Sequence, residues 1–221
     1  MTKSTIQSRT PKTSKTATSS KRSLPSIQPA DENDVRARLI DATETVMRLS
    51  GPLGVRIDEV AQRAGCSRAT VYRYVADKDE LVREVLVRMA RVRSAKIERQ
   101  LAHVTDPAEA ITEGLLRTVE AIRQEWWYEA LEGHGATAAV ARIGGGPQAF
   151  TEIATPLVTP FLDRLSASGQ MRQDITAEEA TAWLVVVTVG LLTMDVPLDK
   201  TRDEQAHFLR KFVAYSLLKP A

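Results

Sequence analysis

The chain has 221 residues, of which 43% are apolar and 26% charged, with a net charge of +2; this is the composition of a folded globular protein and excludes a wholly disordered or collagen-like chain. The single cysteine, Cys66, excludes an internal disulfide framework and a cysteine-rich zinc site, and fits a reducing, cytoplasmic setting. The longest apolar stretch, Ala182 to Met194, is too short to span a bilayer, and the start of the chain lacks the apolar core of an export signal.

Residues 1–30 carry Lys3, Arg9, Lys12, Lys15, Lys21 and Arg22 without one acid, among many Ser, Thr and Pro. Such a segment cannot bury enough surface to offset its ordering entropy. A disordered basic tail is expected, either a solvated linker or an arm that adds nonspecific phosphate contacts. Acids outnumber bases after residue 100, so the basic part of the chain, the part suited to an anionic polymer, comes first.

From Asp31 onward the pattern predicts an all-α protein, because apolar residues recur at three and four and never alternate strictly. Val35, Leu39, Ala42, Val46 and Leu49 define a first helix that ends at Ser50-Gly51-Pro52. Asp77 with Glu80 opens a long helix to about residue 100, with Leu81, Val85, Met89 and Val92 on one side. Asp106-Pro107 with Glu109 starts the next, faced by Ile111, Leu115, Val119 and Ile122. Gly144-Gly145-Gly146-Pro147 is a break, and Pro156 and Pro160 predict a kinked or split helix over 149–167. Thr176 with Glu179 and Thr201 with Glu204 are capping boxes for the last two helices, roughly 177–194 and 202–218.

Function concentrates in the segment from Ile57 to Tyr74. A short helix ends at Gly65, which can take the positive φ of a tight turn, and a second begins after Ser67, whose hydroxyl can cap the Thr70 amide. Ala61 allows close helix approach, while Val60, Ala64, Cys66, Val71 and Tyr74 fall where both helices face a core. These demands together specify a helix-turn-helix; a merely solvated basic face would not require the Ala61 and Gly65 geometry. Cys66 reads as a small core residue rather than a reactive thiol. The outward face then presents Ser67, Arg68, Ala69, Tyr72 and Arg73, with no acid between Val60 and Ala76. Double-stranded DNA is the expected partner. Arg68 suits bidentate contact with a guanine and Ala69 a thymine methyl. Thr70, Tyr72, Arg73 and Lys78 are assigned to phosphates, with Lys78 at a helix start whose free amides favour the same anion.

The string Ile57-x-x-Val60-Ala61-x-x-Ala64-Gly65-Cys66-Ser67-x-x-Thr70-Val71-Tyr72-Arg73-Tyr74, followed by Asp77-Lys78-x-x-Leu81, resembles the TetR family of bacterial transcription regulators. The resemblance covers residues 34 to about 90. It departs at Arg56, where the family has Thr or Ser, at Arg73, where it has His, and at Tyr74, where it has Phe; Arg56 can supply a phosphate contact through its charge. The resemblance implies a three-helix DNA-binding domain over 31–78 and a larger helical domain over 79–221 that encloses a small-molecule pocket and dimerises through its last two helices. Gly169-x-Met171-Arg172-x-Asp174-Ile175-Thr176-x-Glu178-Glu179 resembles the connection before the penultimate helix in that family.

For this second domain the residues give broader expectations. Trp183 to Met194 is apolar nearly all round, and Phe208, Leu209, Phe212, Val213 and Leu217 form a wide stripe, more than one small core needs. Trp183, Val186, Val187, Phe208, Phe212 and Tyr215 are therefore expected at a homodimer interface, against the plainer reading of a buried core helix. Trp126, Trp127, Tyr128, Phe150 and Phe161 are candidates to line a pocket for a small apolar or amphipathic ligand, with His134, Glu129 or Arg142 as polar anchors; ordinary core packing is the alternative. No metal and no cofactor is expected. His103, His134 and His207 lack metal-ligand spacing and no glycine-rich phosphate loop precedes a helix, which argues against an enzyme. A ligand-responsive repressor, released from a palindromic operator by an inducer, is the leading expectation. A ligand-independent architectural DNA binder would share the motif but has no need of a second helical domain.

Overall fold

The computed structural model describes residues 32–128, 143–145, 148–194 and 201–220. The basic stretch 1–30 lies outside them, as do Glu129, His134 and Arg142. Among the described residues there is no strand, only an isolated bridge between Met171 and Leu218.

Helix α1 (Glu32–Ser50) has acids in its first turn and Arg48 in its last, the arrangement that the helix dipole favours. Its buried side is Val35, Leu39, Ala42, Thr43, Val46 and Met47, and Thr43 is tolerated there because its hydroxyl donates to the Leu39 carbonyl at 2.7 Å. Leu49, expected inward, is instead 71% exposed. The chain reverses at Gly51 (φ 71°), and Met47 rather than Leu49 shares the core with Val55. After a 3₁₀ turn (Pro52–Gly54) come α2 (Ile57–Ala64), α3 (Arg68–Tyr74) and the long α4 (Lys78–Leu101). Val60, Val71, Leu81 and Val85 are fully buried between them.

Along α4 the inward stripe passes from Leu81 and Val85 to Ala90 and then to Arg93, Ser94 and Ile97, which face a cavity. Val92, expected on that side, is 72% exposed; the spacing of four continues to an arginine, which a search for apolar residues passes over. Helix α5 (Pro107–Arg123) starts on the Asp106 carboxylate, which accepts from the Ala108 amide at 3.0 Å. A second 3₁₀ turn (Ile143–Gly145) contains Gly144 at φ 61°, and its carbonyl accepts from Arg83 of α4.

Helix α6 (Gln148–Ala167) runs through Pro156 and Pro160 without splitting. Each proline removes the amide that would serve the carbonyl four residues earlier, so the carbonyls of Glu152 and Pro156 lose their helical donors. Helices α7 (Ala177–Thr193) and α8 (Arg202–Leu209) both open with complete capping boxes at Thr176/Glu179 and Thr201/Glu204. The chain then continues through a π-helical turn (Arg210–Ala214) into a final turn (Tyr215–Leu217). A second core of Ile111, Leu115, Leu162, Leu184, Leu209, Val213 and Leu217 joins α5 to α8.

Candidate nucleic-acid interface and interior cavity

Helix α2 ends because Gly65 adopts the left-handed conformation (φ 67°, ψ 36°), which lets its amide reach the carbonyls of Ala61 and Gln62. The Cys66 amide also returns to Ala61, at 3.0 Å. Ser67 then caps α3, its hydroxyl accepting from the Thr70 amide at 3.1 Å and pairing with the Thr70 hydroxyl at 2.9 Å. Inside, Val71 is fully buried, while Ala64, Cys66 and Tyr74 are partly buried against the same core. A clasp fixes the far end of α3. Arg36 of α1 donates to the Tyr74 carbonyl at 2.9 Å, to Glu80 at 2.9 Å, and to Glu84.

With the buried side so fixed, Ser67, Arg68, Ala69, Tyr72 and Arg73 are all exposed, and Thr70 is half-buried. Arg73 lies over the Tyr74 ring, 5.2 Å from its centroid. Arg56 is exposed at the N-cap of α2 and its side chain makes no cap bond there. Lys78 is the first residue of α4, half-exposed and 3.8 Å from Asp79. The start of α4 is held by Asp77, which accepts from the Glu80 amide at 2.8 Å, while Glu80 accepts from the Ala76 amide at 2.7 Å. One contact ties α3 back to α2. Arg68 is ion-paired to Asp58 of α2 at 3.0 Å, and a hydrogen bond with Tyr72, then the Asp58 charge, holds its pKa above the ordinary arginine value. Sequence reasoning missed Asp58, because the pair exists only through the crossing of α2 and α3.

Further along α4 is a cavity of about 870 Å³ between α4, α5, α6 and α7. Leu101, Ile111, Leu115, Ile153, Leu157 and Val189 make up much of its wall, with Phe150 and Phe161 as expected. Trp126, Trp127 and Tyr128 are not on that wall. Trp127 and Tyr128 are buried in the core shared with α2 and α3, Tyr128 donates its hydroxyl to the Leu192 carbonyl at 2.6 Å, and Trp126 packs under Arg48. These aromatics close a core instead of lining a void. The polar lining comes mostly from α4, including Arg91, Arg93, Ser94 and Glu98. Arg93 donates to Glu125 at 3.0 Å with its side chain only 12% exposed, and burial draws its pKa below the ordinary arginine value against the pull of Glu125. A lone arginine on a charged helix reads as a solvated face, so the sequence carried no signal for it.

On the last helices, Trp183 (42%), Val186 (61%), Phe212 (53%) and Tyr215 (55%) are conspicuously exposed for their size. Val187 and Phe208 are half-buried beside them in sequence, and the Phe208 and Phe212 rings stand 4.8 Å apart. Among the described residues no cluster of His, Cys, Asp and Glu could hold a metal ion, and no helix is long and apolar enough to cross a membrane.

The family model for bacterial regulatory proteins of the tetR family matches residues 39–85, from the middle of α1 into α4. An uncharacterized HTH-type transcriptional regulator of Mycobacterium tuberculosis is 29% identical over 169 residues, which is 76% of this chain and 79% of that protein. Among solved structures, RolR in complex with resorcinol superposes with a TM-score of 0.64 at 19% identity, covering 86% of this chain and 90% of that one. The transcriptional repressor QsdR of R. erythropolis gives 0.63 at 22% identity, covering 86% and 98%. The described residues thus share their fold with these regulators.

Proposed function

The chain belongs to the TetR family of bacterial transcription regulators, and from that premise we propose that it is a ligand-responsive repressor that binds a palindromic operator as a homodimer. It is a regulator and not an enzyme, and acting on DNA it works in the cytoplasm. The observation that carries the reading is that one helix, α4, serves both ends. Glu80 and Glu84 at its start grip Arg36 of α1, and Arg88 grips Asp41 and Glu44, whereas Arg93, Ile97 and Leu101 of the same helix line the cavity.

In this mechanism α3 enters the major groove, Arg68 and Ala69 read bases, and Arg56, Ser67, Thr70, Tyr72, Arg73 and Lys78 engage the backbone. Trp183, Val186, Val187, Phe208, Phe212 and Tyr215 join two copies so that both recognition helices reach successive major grooves, about 34–36 Å apart. A small apolar or amphipathic molecule in the cavity displaces α4 and, through the Arg36 and Arg88 clasps, changes that separation. If it binds the mis-spaced form more tightly, DNA affinity falls by the same coupling free energy, typically about 1–3 kcal/mol. No cofactor is required. The cavity favours this over an architectural DNA binder, which needs no such void.

Selection of bound sequences from random duplexes tests the reading. The expected product is an inverted repeat whose half-sites are centred about 10–10.5 base pairs, or a multiple, apart. Enrichment of a single unrepeated half-site would rule out the dimeric mechanism.

A further inference from the structure

The polar groups of the cavity differ in what they leave open to an occupant. Thr118 and Thr188 line it but donate their hydroxyl protons to the Gly114 and Leu184 carbonyls, each at 2.7 Å. Glu98 is engaged by Arg164 at 3.3 Å. The two threonine hydroxyls therefore keep only acceptor lone pairs for an occupant, and the charged donors still open to one are Arg91 and Arg93, with Ser94 beside them. Arg91 is exposed and has no ion pair among the described residues.

Arg93 is the more informative. A guanidinium has five N–H donors, and among the described residues only the one from Nη1 to Glu125 has an acceptor. Burial penalises this cation, and a desolvated charge with one bond is poorly compensated unless further acceptors arrive. A carboxylate supplies them in the geometry that a guanidinium fits best. The cavity volume of about 870 Å³ is near the upper end of small-molecule sites, and most of its remaining wall is apolar.

Resting on the ligand-responsive reading above, we propose that the effector is an amphipathic anion, a long or bulky apolar body with one carboxylate that seats on Arg93 and Arg91. The Thr118 and Thr188 oxygens, which keep only acceptor lone pairs, would instead suit a hydroxyl donor, which makes a neutral alcohol of the same chain length the discriminating competitor.

The test uses the full chain and the neutral fluorescent probe N-phenyl-1-naphthylamine, displaced in turn by dodecanoate, 1-dodecanol and methyl dodecanoate. Dodecanoate is expected to act at about tenfold lower concentration than the other two, the size of effect expected from a charge-assisted bond. Arg91→Gln, at an exposed side chain, should cut that preference about threefold. Arg93→Gln combined with Glu125→Gln, which strands no carboxylate, should abolish it while the probe still binds. Equal displacement by the alcohol and the carboxylate, or a preference that survives both sets of substitutions, overturns the anionic effector while leaving a sensor of neutral ligands. If neither the probe nor any competitor binds, the ligand-responsive reading falls with it.

Discussion

Arg68 carries its own counter-charge in the free protein, since Asp58 sits 3.0 Å away on the preceding helix. In the proposed complex DNA must compete for it. A guanine edge offers two acceptors in the geometry of the guanidinium, whereas a phosphate offers mainly charge, so the Asp58 tether penalises loose backbone contact more than base recognition. Arg68→Ala should cost about 1–3 kcal/mol at one operator position and relax discrimination there, as measured by competition with base-substituted duplexes. Lys78→Ala should weaken all sequences alike and lower the salt slope by about 1 in a titration of affinity against salt. Equal losses on specific and random DNA for Arg68→Ala would remove its role as a reader. At Gly65 the issue is the backbone alone, because nothing lies within 4 Å of an added Cβ. Gly65→Ala at φ +67° should lower stability by about 1–2 kcal/mol in urea unfolding, and Gly65→Asn by less. The outward side chains of α3 and the left-handed turn were legible in the sequence, since local chemistry dictates both. Asp58 and Arg93 were not, because their partners are set by helices crossing in space.

Helix boundaries were readable wherever a polar side chain stops or starts the ladder. Ser67, Asp77, Asp106, Thr176 and Thr201 all accept the expected amide bonds. Reading faces failed at Leu49, at the end of α1, and at Val92, inside α4, where the inward stripe passes to Arg93. The π-helical turn at Arg210–Ala214 left no sequence signal. It coincides with long-range pairing, as Arg210 reaches Asp106 at the start of α5 and lies over the Tyr215 ring. Between helices, acids anchor arginines. A hydrogen bond from Arg202 holds Glu113 below its usual pKa of 4.5, and one from Arg48, with help from Arg88, does the same for Glu44. A carboxylate with a depressed folded pKa contributes stability in full above its unfolded value and loses it as pH falls through the folded one. Stability should therefore decline below about pH 4.5 as these pairs are protonated. In urea titrations across pH, Glu113→Gln should be less stable at pH 7 and show a shallower decline in acid. An unchanged acid limb would mean that the Arg202 pair contributes nothing.

For the whole molecule, the apolar side chains left open on α7 and on the turns after α8 set the expected assembly. Trp183, Val186, Phe212 and Tyr215 are large apolar side chains left exposed, and covering them is the driving force for the proposed association of two copies. Phe212→Asp combined with Val186→Asp should give a monomer in sedimentation at micromolar concentration, with operator affinity reduced to that of a single half-site. A dimer that persists would place the contact elsewhere. The helical architecture was legible from apolar spacing and caps, and the exposure of large apolar side chains on the last helices from their surplus over one core. The pocket was only half legible: Phe150 and Phe161 reach it, whereas Trp126, Trp127 and Tyr128 do not.

Those last aromatics have a consequence for how the chain comes apart. Trp127, Tyr128 and Leu192 lie in the same buried cluster as Val60 and Val71, so the helix-turn-helix does not own its core outright. Cutting the chain after α4 would strip that cluster of its far side and present it to water. The helices on the two sides of this cluster are therefore expected to melt as a single cooperative unit, with the aromatic pair as the seam between them. A domain that cannot be excised without loosening its neighbour gives the proposed signal a path through packed side chains.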